Sequence, residues 1–299
     1  YGRDKIEEYK VNTLTTRKYG GTLSWLAAEG TDNEQTDGIA TSEAIKKLDV
    51  FANSQTPFFL AIGYFRPHTP FVAPKEYYDL YEQQKIEIPE ISSDYLSTLP
   101  EPAVKSIRSQ KNQLNLEKEL AQEIKEAYYA TISFVDAQVG RILDHLEKNG
   151  LEKNTIVVFT SDHGFHLGEH SHWQKQTLFE NSTRIPLIIS TPNSLNKGKK
   201  TRSPVELIDI YPTLMDLTEI KTPKHVVGTS LKPIMNNINT SVRKSSLTRW
   251  RNGYSIKTKR YRLTQWGING ELGYELYDHK NDKNELVNLA NNQNYSKVM

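Results

Sequence analysis

Three runs of the chain are apolar almost without interruption: PFFLAIGYF at 57–65, TIVVFTSD at 155–162 and IPLIIST at 185–191. Short continuous runs of this kind predict strands covered on both faces, the pattern of a parallel sheet held between helices. Between them the apolar residues recur at helical spacing. In SEAIKKLDVFANS (42–54), Ala44, Ile45, Leu48 and Phe51 make one stripe, the signature of an amphipathic helix with one buried face. From about Leu116 to Lys148 a second stripe runs through Ile124, Tyr128, Ile132, Val135, Val139, Ile142 and Leu146, then stops at Asn149-Gly150, a helix-ending pair. Helix, stop and strand in that order predict a crossover unit, and the alternation as a whole predicts an α/β class with a mostly parallel sheet flanked by helices. Residues 81–116 turn polar and Pro-punctuated, which predicts a surface excursion. A linker-like stretch, NNINTSVRKSS, occupies 236–246. Beyond it GYSIKTKRYRLTQW and GYELYDHKND alternate aromatic and polar residues on either side of GINGELG, the pattern of a hairpin or small meander. The expected organisation is a main domain over 1–240 and a small antiparallel β subdomain over 241–299.

Composition narrows the function classes. Lys and Arg number 38 against 36 Asp and Glu, a net charge of +2 over 299 residues, so the whole chain carries no nucleic-acid footprint and any recognition of anions must be local. No apolar run approaches the roughly 20 residues that span a bilayer. The opening YGRDKIEEYK lacks the pattern of a signal peptide. With no cysteine there is no disulfide, thiolate metal site or cysteine nucleophile.

The densest candidate chemistry is SDHGFHLGEHSHWQK (161–175), where four of the eight histidines fall beside two carboxylates and a lysine. The preceding apolar run puts Asp162 and His163 at the carboxyl end of a strand, where open α/β sheets gather ligands. Gly164 is expected to let the backbone turn sharply there. A carboxylate and an imidazole side by side can share one divalent cation, and Lys175 is a cation suited to an oxyanion. His166-Leu-Gly-Glu169-His170 also spells the inverted zinc-peptidase motif H-x-x-E-H. That motif needs a helix to bring both imidazoles to one face, and Gly164, Gly168 and the preceding strand argue against one.

SDHGFHLGEHSHWQK resembles the metal- and sulfate-binding segment of type I sulfatases, members of the alkaline-phosphatase-like superfamily, and within them the iduronate-2-sulfatase-like branch. PFFLAIGYFRPHTPF (57–71), TDGIATSEAIKKL, YYATISFVDAQVGRILDHLEKNGLEKNTIVVFTSDHG, VELIDIYPTLMDL and ELYDHKNDKNELVNL extend the similarity over almost the whole chain. The resemblance implies an alkaline-phosphatase-like α/β fold and hydrolysis of sulfuric esters on a sulfated sugar or glycan, in a secreted or periplasmic setting. Carried over by position, Asp162 and His163 are two ligands of a calcium ion, Lys175 holds a sulfate oxygen, and His68 faces the bridging ester oxygen and protonates the leaving alcohol. Phe165 and His166, just beyond the metal pair, are expected to line the sugar subsite.

The sequence departs from that family at its nucleophile. Type I sulfatases make a formylglycine from C-x-P-x-R or S-x-P-x-R, and neither string occurs; Ser190-Thr-Pro192-Asn-Ser194 lacks the arginine. The paired aspartates that complete the family's metal shell, and its lysine-and-histidine segment after the nucleophile, are absent too. The expectation is that the chain is the carboxyl-terminal two thirds of a sulfatase, its partner being the missing N-terminal portion of the same protein. Two other functions fit the same residues: a non-catalytic remnant that binds sulfated glycans, and a phosphatase or phosphonate hydrolase on the same fold.

Overall fold

The computed structural model describes residues 12–13, 23–54, 56–81, 85–92, 94–110, 113–192 and 194–299. In chain order its strands and helices are β1 (Asn12–Thr13), β2 (Ser24–Ala28), α1 (Thr36–Ala52), β3 (Phe71–Pro74), α2 (Lys75–Asp79), α3 (Glu101–Ile107), α4 (Lys118–Lys148), β4 (Val157–Thr160), α5 (Glu180–Thr183), β5 (Leu187–Ser190), α6 (Ile210–Leu217), α7 (Lys232–Asn236), β6 (Ser246–Trp250), β7 (Gly253–Lys257), β8 (Tyr261–Trp266) and β9 (Tyr274–Asp278). They fall into two compact units, residues 1–89 with 112–155, and residues 90–111 with 156–299.

In the first unit β2 and β3 pair in parallel, Trp25 opposite Phe71, and β1 adds antiparallel to β2. Leu23, Trp25, Phe71 and Ala73 are buried against α4, which turns Ala121, Ile124, Ala127, Ala130 and Phe134 inward. Alanine recurs on that face because small side chains let a helix lie close to a sheet. The inward face is therefore rotated from the sequence-predicted stripe, and Ile132 is left exposed. The Trp25 indole N–H donates to Glu123 (2.9 Å), and the Phe71 ring meets the edge of Tyr128 at 5.5 Å. α4 stops where expected, at Gly150 with φ of 67°.

The run 57–65 is not a laddered strand. Its side chains alternate, with Phe58, Leu60, Ile62 and Tyr64 half-buried and Phe59, Ala61, Gly63 and Phe65 exposed. From Phe59 to Gly63 no group makes a hydrogen bond among the described residues. The backbone is strand-like in its period, but no described segment supplies the second edge that strand geometry requires. The other two runs do form strands, shorter than predicted, and β4 pairs with β5 antiparallel, Val158 opposite Ile189, rather than in parallel.

The second unit is built on the expected antiparallel meander, β6-β7-β8-β9. The β8–β9 turn uses Gly267, Gly270 and Gly273 at positive φ, a conformation open to glycine at little cost. Residues 81–116 prove to be more than a surface excursion. Tyr95, Leu99, Ala103 and Ile107 recur every four residues and enter the core with Leu178, Phe179, Trp266 and Tyr277, so the prolines here set off a short helix instead of excluding one. Arg262 ties the layer together from β8: its Nε donates to Glu285 (2.6 Å), Nη1 to Ser255 (3.1 Å), and Nη2 to Glu180. Glu285 also accepts from the Glu180 backbone N–H (2.7 Å) and pairs with His279 (2.6 Å). Burial opposes the Glu285 charge, yet Arg262 and His279 outweigh it and pull its pKa down to about 2.

Candidate functional site

β4 delivers its chain directly into the loop that carries Asp162 and His163. Asp162 points into solvent, its side chain 83% exposed, and its Oδ2 lies 3.5 Å from Nε2 of His163, which is 35% exposed. His163 Nδ1–H donates to the Gly164 carbonyl at 2.8 Å. That bond fixes the tautomer and leaves Nε2 as a lone pair beside a carboxylate oxygen, two adjacent donors of the kind a divalent cation takes. Gly164 is required by proximity: a Cβ there would stand 2.0 Å from the Asn181 carbonyl oxygen. Its φ is not positive, so close approach of backbone to α5, not an unusual turn, explains the glycine. The Gly164 N–H donates to the Ser182 carbonyl (2.8 Å) and holds the two segments together.

Lys175 lies on the same loop, half-buried, and its amine makes no hydrogen bond or ion pair among the described residues. Phe165 is half-buried. His166 is enclosed, with Nδ1 against the Glu169 carbonyl (3.2 Å) and Nε2 against Thr177 Oγ1 (2.8 Å). With both nitrogens engaged and no exposed surface it is a packing residue rather than the lining of a sugar subsite. His170 and His172 are buried with it, their rings 5.4 and 5.1 Å from that of His166. His170 stacks on Phe179 at 3.9 Å and meets the Tyr95 hydroxyl, and His172 Nδ1–H donates to the Ile107 carbonyl (3.0 Å). The H-x-x-E-H string is thus a turn with His170 at φ 58°, and its imidazoles serve the core instead of chelating. Burial, reinforced by the neighbouring imidazoles, pushes His166 well below the ordinary histidine range; burial brings His170 and His172 to about 4.

His68 belongs to the first unit, exposed at the end of the 57–65 run. Its Nδ1–H donates to the Thr69 carbonyl (2.8 Å), its ring lies 5.0 Å from Phe65, and its carbonyl accepts from Arg66 Nη1 (3.3 Å). Beneath it sits a residue that the sequence reading gave no role. Asp37, buried in the first turn of α1, accepts from the backbone N–H groups of Phe65 and Arg66, both at 2.9 Å. Arg66 Nε donates to the Val72 carbonyl (2.8 Å), and burial lowers its pKa to about 10 although Asp37 opposes the shift. The available signal was the Asp37-Gly38 pair: a Cβ at Gly38 would fall 1.8 Å from the Asp32 carbonyl oxygen, so the helix must start here tight against its own preceding turn.

Among the described residues, one trio of potential metal ligands converges, Glu180, His279 and Glu285. Arg262 already occupies its centre through Glu180 and Glu285, so the charge a metal would bring is present as a guanidinium.

A family model described as Sulfatase matches residues 1–220, and one described as N-sulphoglucosamine sulphohydrolase, C-terminal, matches 168–299. A sulfatase of Formosa agariphila is 35% identical over 289 residues, 94% of this chain and 55% of the relative. Human iduronate 2-sulfatase is 32% identical over 62% of this chain and 40% of its own length. The chain therefore spans about half the length of the curated relatives it matches. Among solved structures, one in complex with D-glucosamine-2-N,6-O-disulfate superposes with a TM-score of 0.69 at 23% identity, covering 88% of this chain and 67% of that one. The phosphonate monoester hydrolase of Silicibacter pomeroyi superposes with a TM-score of 0.82 at 22% identity, covering 100% and 63%. With a matching model over most of its length and a relative of this identity, the chain belongs to the sulfatase family.

Proposed function

We propose that the chain is the metal- and sulfate-holding part of a sulfuric-ester hydrolase whose substrate is a sulfated sugar or glycan. The observation that supports this most directly is the loop after β4, where Asp162 and His163 offer two donors 3.5 Å apart and the Lys175 amine makes no hydrogen bond or ion pair among the described residues. Lys175 would bind a non-bridging sulfate oxygen and meet the charge that grows there as the S–O bond breaks. His68 would deliver a proton to the departing alkoxide oxygen. Its backbone is held for that task by Asp37 through Phe65 and Arg66. The nucleophile, expected to be a formylglycine, would come from a segment outside these 299 residues, a reading supported by the share of the relatives' length that the chain spans. That segment and the sulfated saccharide are the partners the reading calls for, and the setting it suits is extracytoplasmic. No described helix is long and apolar enough to cross a membrane.

The donor pair fits calcium in chemistry but gives it a partial shell, since calcium takes six to eight ligands, mostly oxygen. When bound, the ion would neutralise and orient a sulfate oxygen. Calcium binding by the 299-residue chain is expected to be weak and to vanish in Asp162→Ala; calorimetry giving tight binding unchanged in that variant would remove the pair from the metal site.

The test of the function is a panel assay on the full-length gene product with sulfated monosaccharides, an aryl sulfate, a phosphate monoester and a phosphonate monoester. The reading requires the sulfate esters to react fastest. Faster phosphonate or phosphate hydrolysis would favour the hydrolase that the structural likeness to a phosphonate monoester hydrolase brings forward.

A further inference from the structure

The lead-in to β6 and the β7–β8 turn enclose an open groove of about 510 Å³, lined by Ser241, Arg243, Lys244, Thr258, Lys259 and Arg260 together with Val242. Four of these side chains are cationic and none is anionic, in a chain whose overall charge is only +2. The carboxylates that balance the arginines lie behind them. Arg260 is held by Nε and Nη2 on the two oxygens of Asp278, both at 2.7 Å, with Asp278 fully buried. Its guanidinium sits 4.7 Å over the Tyr261 ring and is 45% exposed, with Nη1 left without a partner among the described residues. Arg243 is clamped by Glu206 (2.6 Å) and by Asp209, which is also fully buried. Lys244 and Lys259 make no ion pair among the described residues.

Buried carboxylates that fix two guanidiniums remove rotamer freedom that binding would otherwise have to remove, and the two lysines remain as unengaged positive charge. We propose that this groove is a binding site for a sulfated saccharide chain, engaging successive sulfate groups through side chains other than those proposed to act on the ester. Fixed guanidiniums suit planar or tetrahedral oxyanions, and Ser241 and Thr258 put hydroxyls at the rim where a sugar presents its own. The absence of any aromatic side chain from the lining disfavours single-stranded nucleic acid, which binds by stacking its bases. The proposal rests on the family reading for its choice of anion, but it is a statement about binding and stands apart from turnover.

Calorimetry of the 299-residue chain with a sulfated chondroitin tetrasaccharide tests it, with the desulfated tetrasaccharide and an oligodeoxynucleotide as parallel probes. The sulfated probe should bind, with affinity falling as salt rises. Removing two charge-assisted contacts in K244A/K259A should weaken that binding by at least about tenfold, while Lys224→Ala, an exposed lysine outside the groove, should leave it unchanged. No binding, equal binding of the desulfated sugar, tighter binding of the oligonucleotide, or full affinity in K244A/K259A would each overturn the proposal. So would loss of binding in Lys175→Ala, which would place the probe on the loop after β4.

Discussion

Lys175 and His68 reach the surface by different routes, and the difference sets what each substitution should do. Lys175 has no internal partner among the described residues, so its replacement disturbs little but the charge. If it meets a sulfate oxygen through the transition state, Lys175→Ala in the full-length enzyme should lower kcat and kcat/KM together, by about 100-fold or more, whatever the leaving group. His68→Ala should act selectively, hurting sugar sulfates, which depart as poor alkoxides, far more than aryl sulfates, which depart as stabilised phenolates. Steady-state rates of both variants on both substrate types check this, and equal losses throughout would reassign His68 to sulfate binding. Asp162, His163 and Lys175 stood out as candidates because their chemistry is local, a strand end, an adjacent carboxylate and imidazole, and a lysine downstream, whereas His68 came only from the family resemblance. His166 was not, since the sequence places it beside His163 while the fold turns its ring into the core against Thr177. Adjacency in sequence says nothing about which side of a loop faces water.

At the scale of the elements, the loop between β4 and α5 is held by His166, His170 and His172, and it should respond to acid. The groups facing them are Tyr95 on His170, the Ile107 carbonyl on His172, Thr177 and the Glu169 carbonyl on His166, with Glu285 acting on His170 from the segment after β9. In the folded chain His170 and His172 stay neutral down to about 4, whereas unfolded histidine takes up its proton near 6.5. The unfolded state therefore binds more protons as pH falls through that window, and stability should decline from about pH 6.5 to about 4. Urea midpoints across this range measure the decline. His172→Gln, which keeps a donor for the Ile107 carbonyl, should make it shallower, and an unchanged profile would assign the loss elsewhere. Glu275 on β9 sets the opposite limit. Buried beside Glu285, it is pushed up to about 8. Its contribution is whole below the ordinary glutamate range and is lost as pH rises through about 8, so Glu275→Gln should raise the thermal midpoint at pH 9 relative to the native chain. The alternation GYELYD announced β9 as a strand. It could not announce a buried carboxylate, because at Glu275 the period-two pattern gives way to continuous burial over Glu275–Asp278.

For the molecule as a whole, periodicity was most reliable where an element finds its partners among the described residues, as in α1 and the β6-β9 meander, and least where it finds none there. The run 57–65 carries a strand's alternation with no ladder among the described residues, and Phe59 stands 82% exposed in it; on β5 of the other unit Ile188 is 59% exposed. Exposed apolar side chains of this kind, and in 57–65 backbone that no described segment pairs, are features that a neighbouring segment would cover. Under the proposed function, Lys175, His68 and the Asp162–His163 pair would bind, orient and move a proton. Sulfuryl transfer to the enzyme also needs an atom to form a bond to sulfur, and activation of a weak nucleophile is itself a built feature, a base or modified side chain held within hydrogen-bond reach. The sequence holds no cysteine and no S-x-P-x-R string. Purified 299-residue chain, with calcium in excess, should therefore give no measurable release of phenol from an aryl sulfate, a substrate that leaves readily enough to need no acid from His68. Full-length gene product assayed beside it should turn over. Sustained hydrolysis by the 299-residue chain, free of any second polypeptide and abolished by Lys175→Ala, would mean that these residues contain a nucleophile of their own and that the proposed division of labour is wrong.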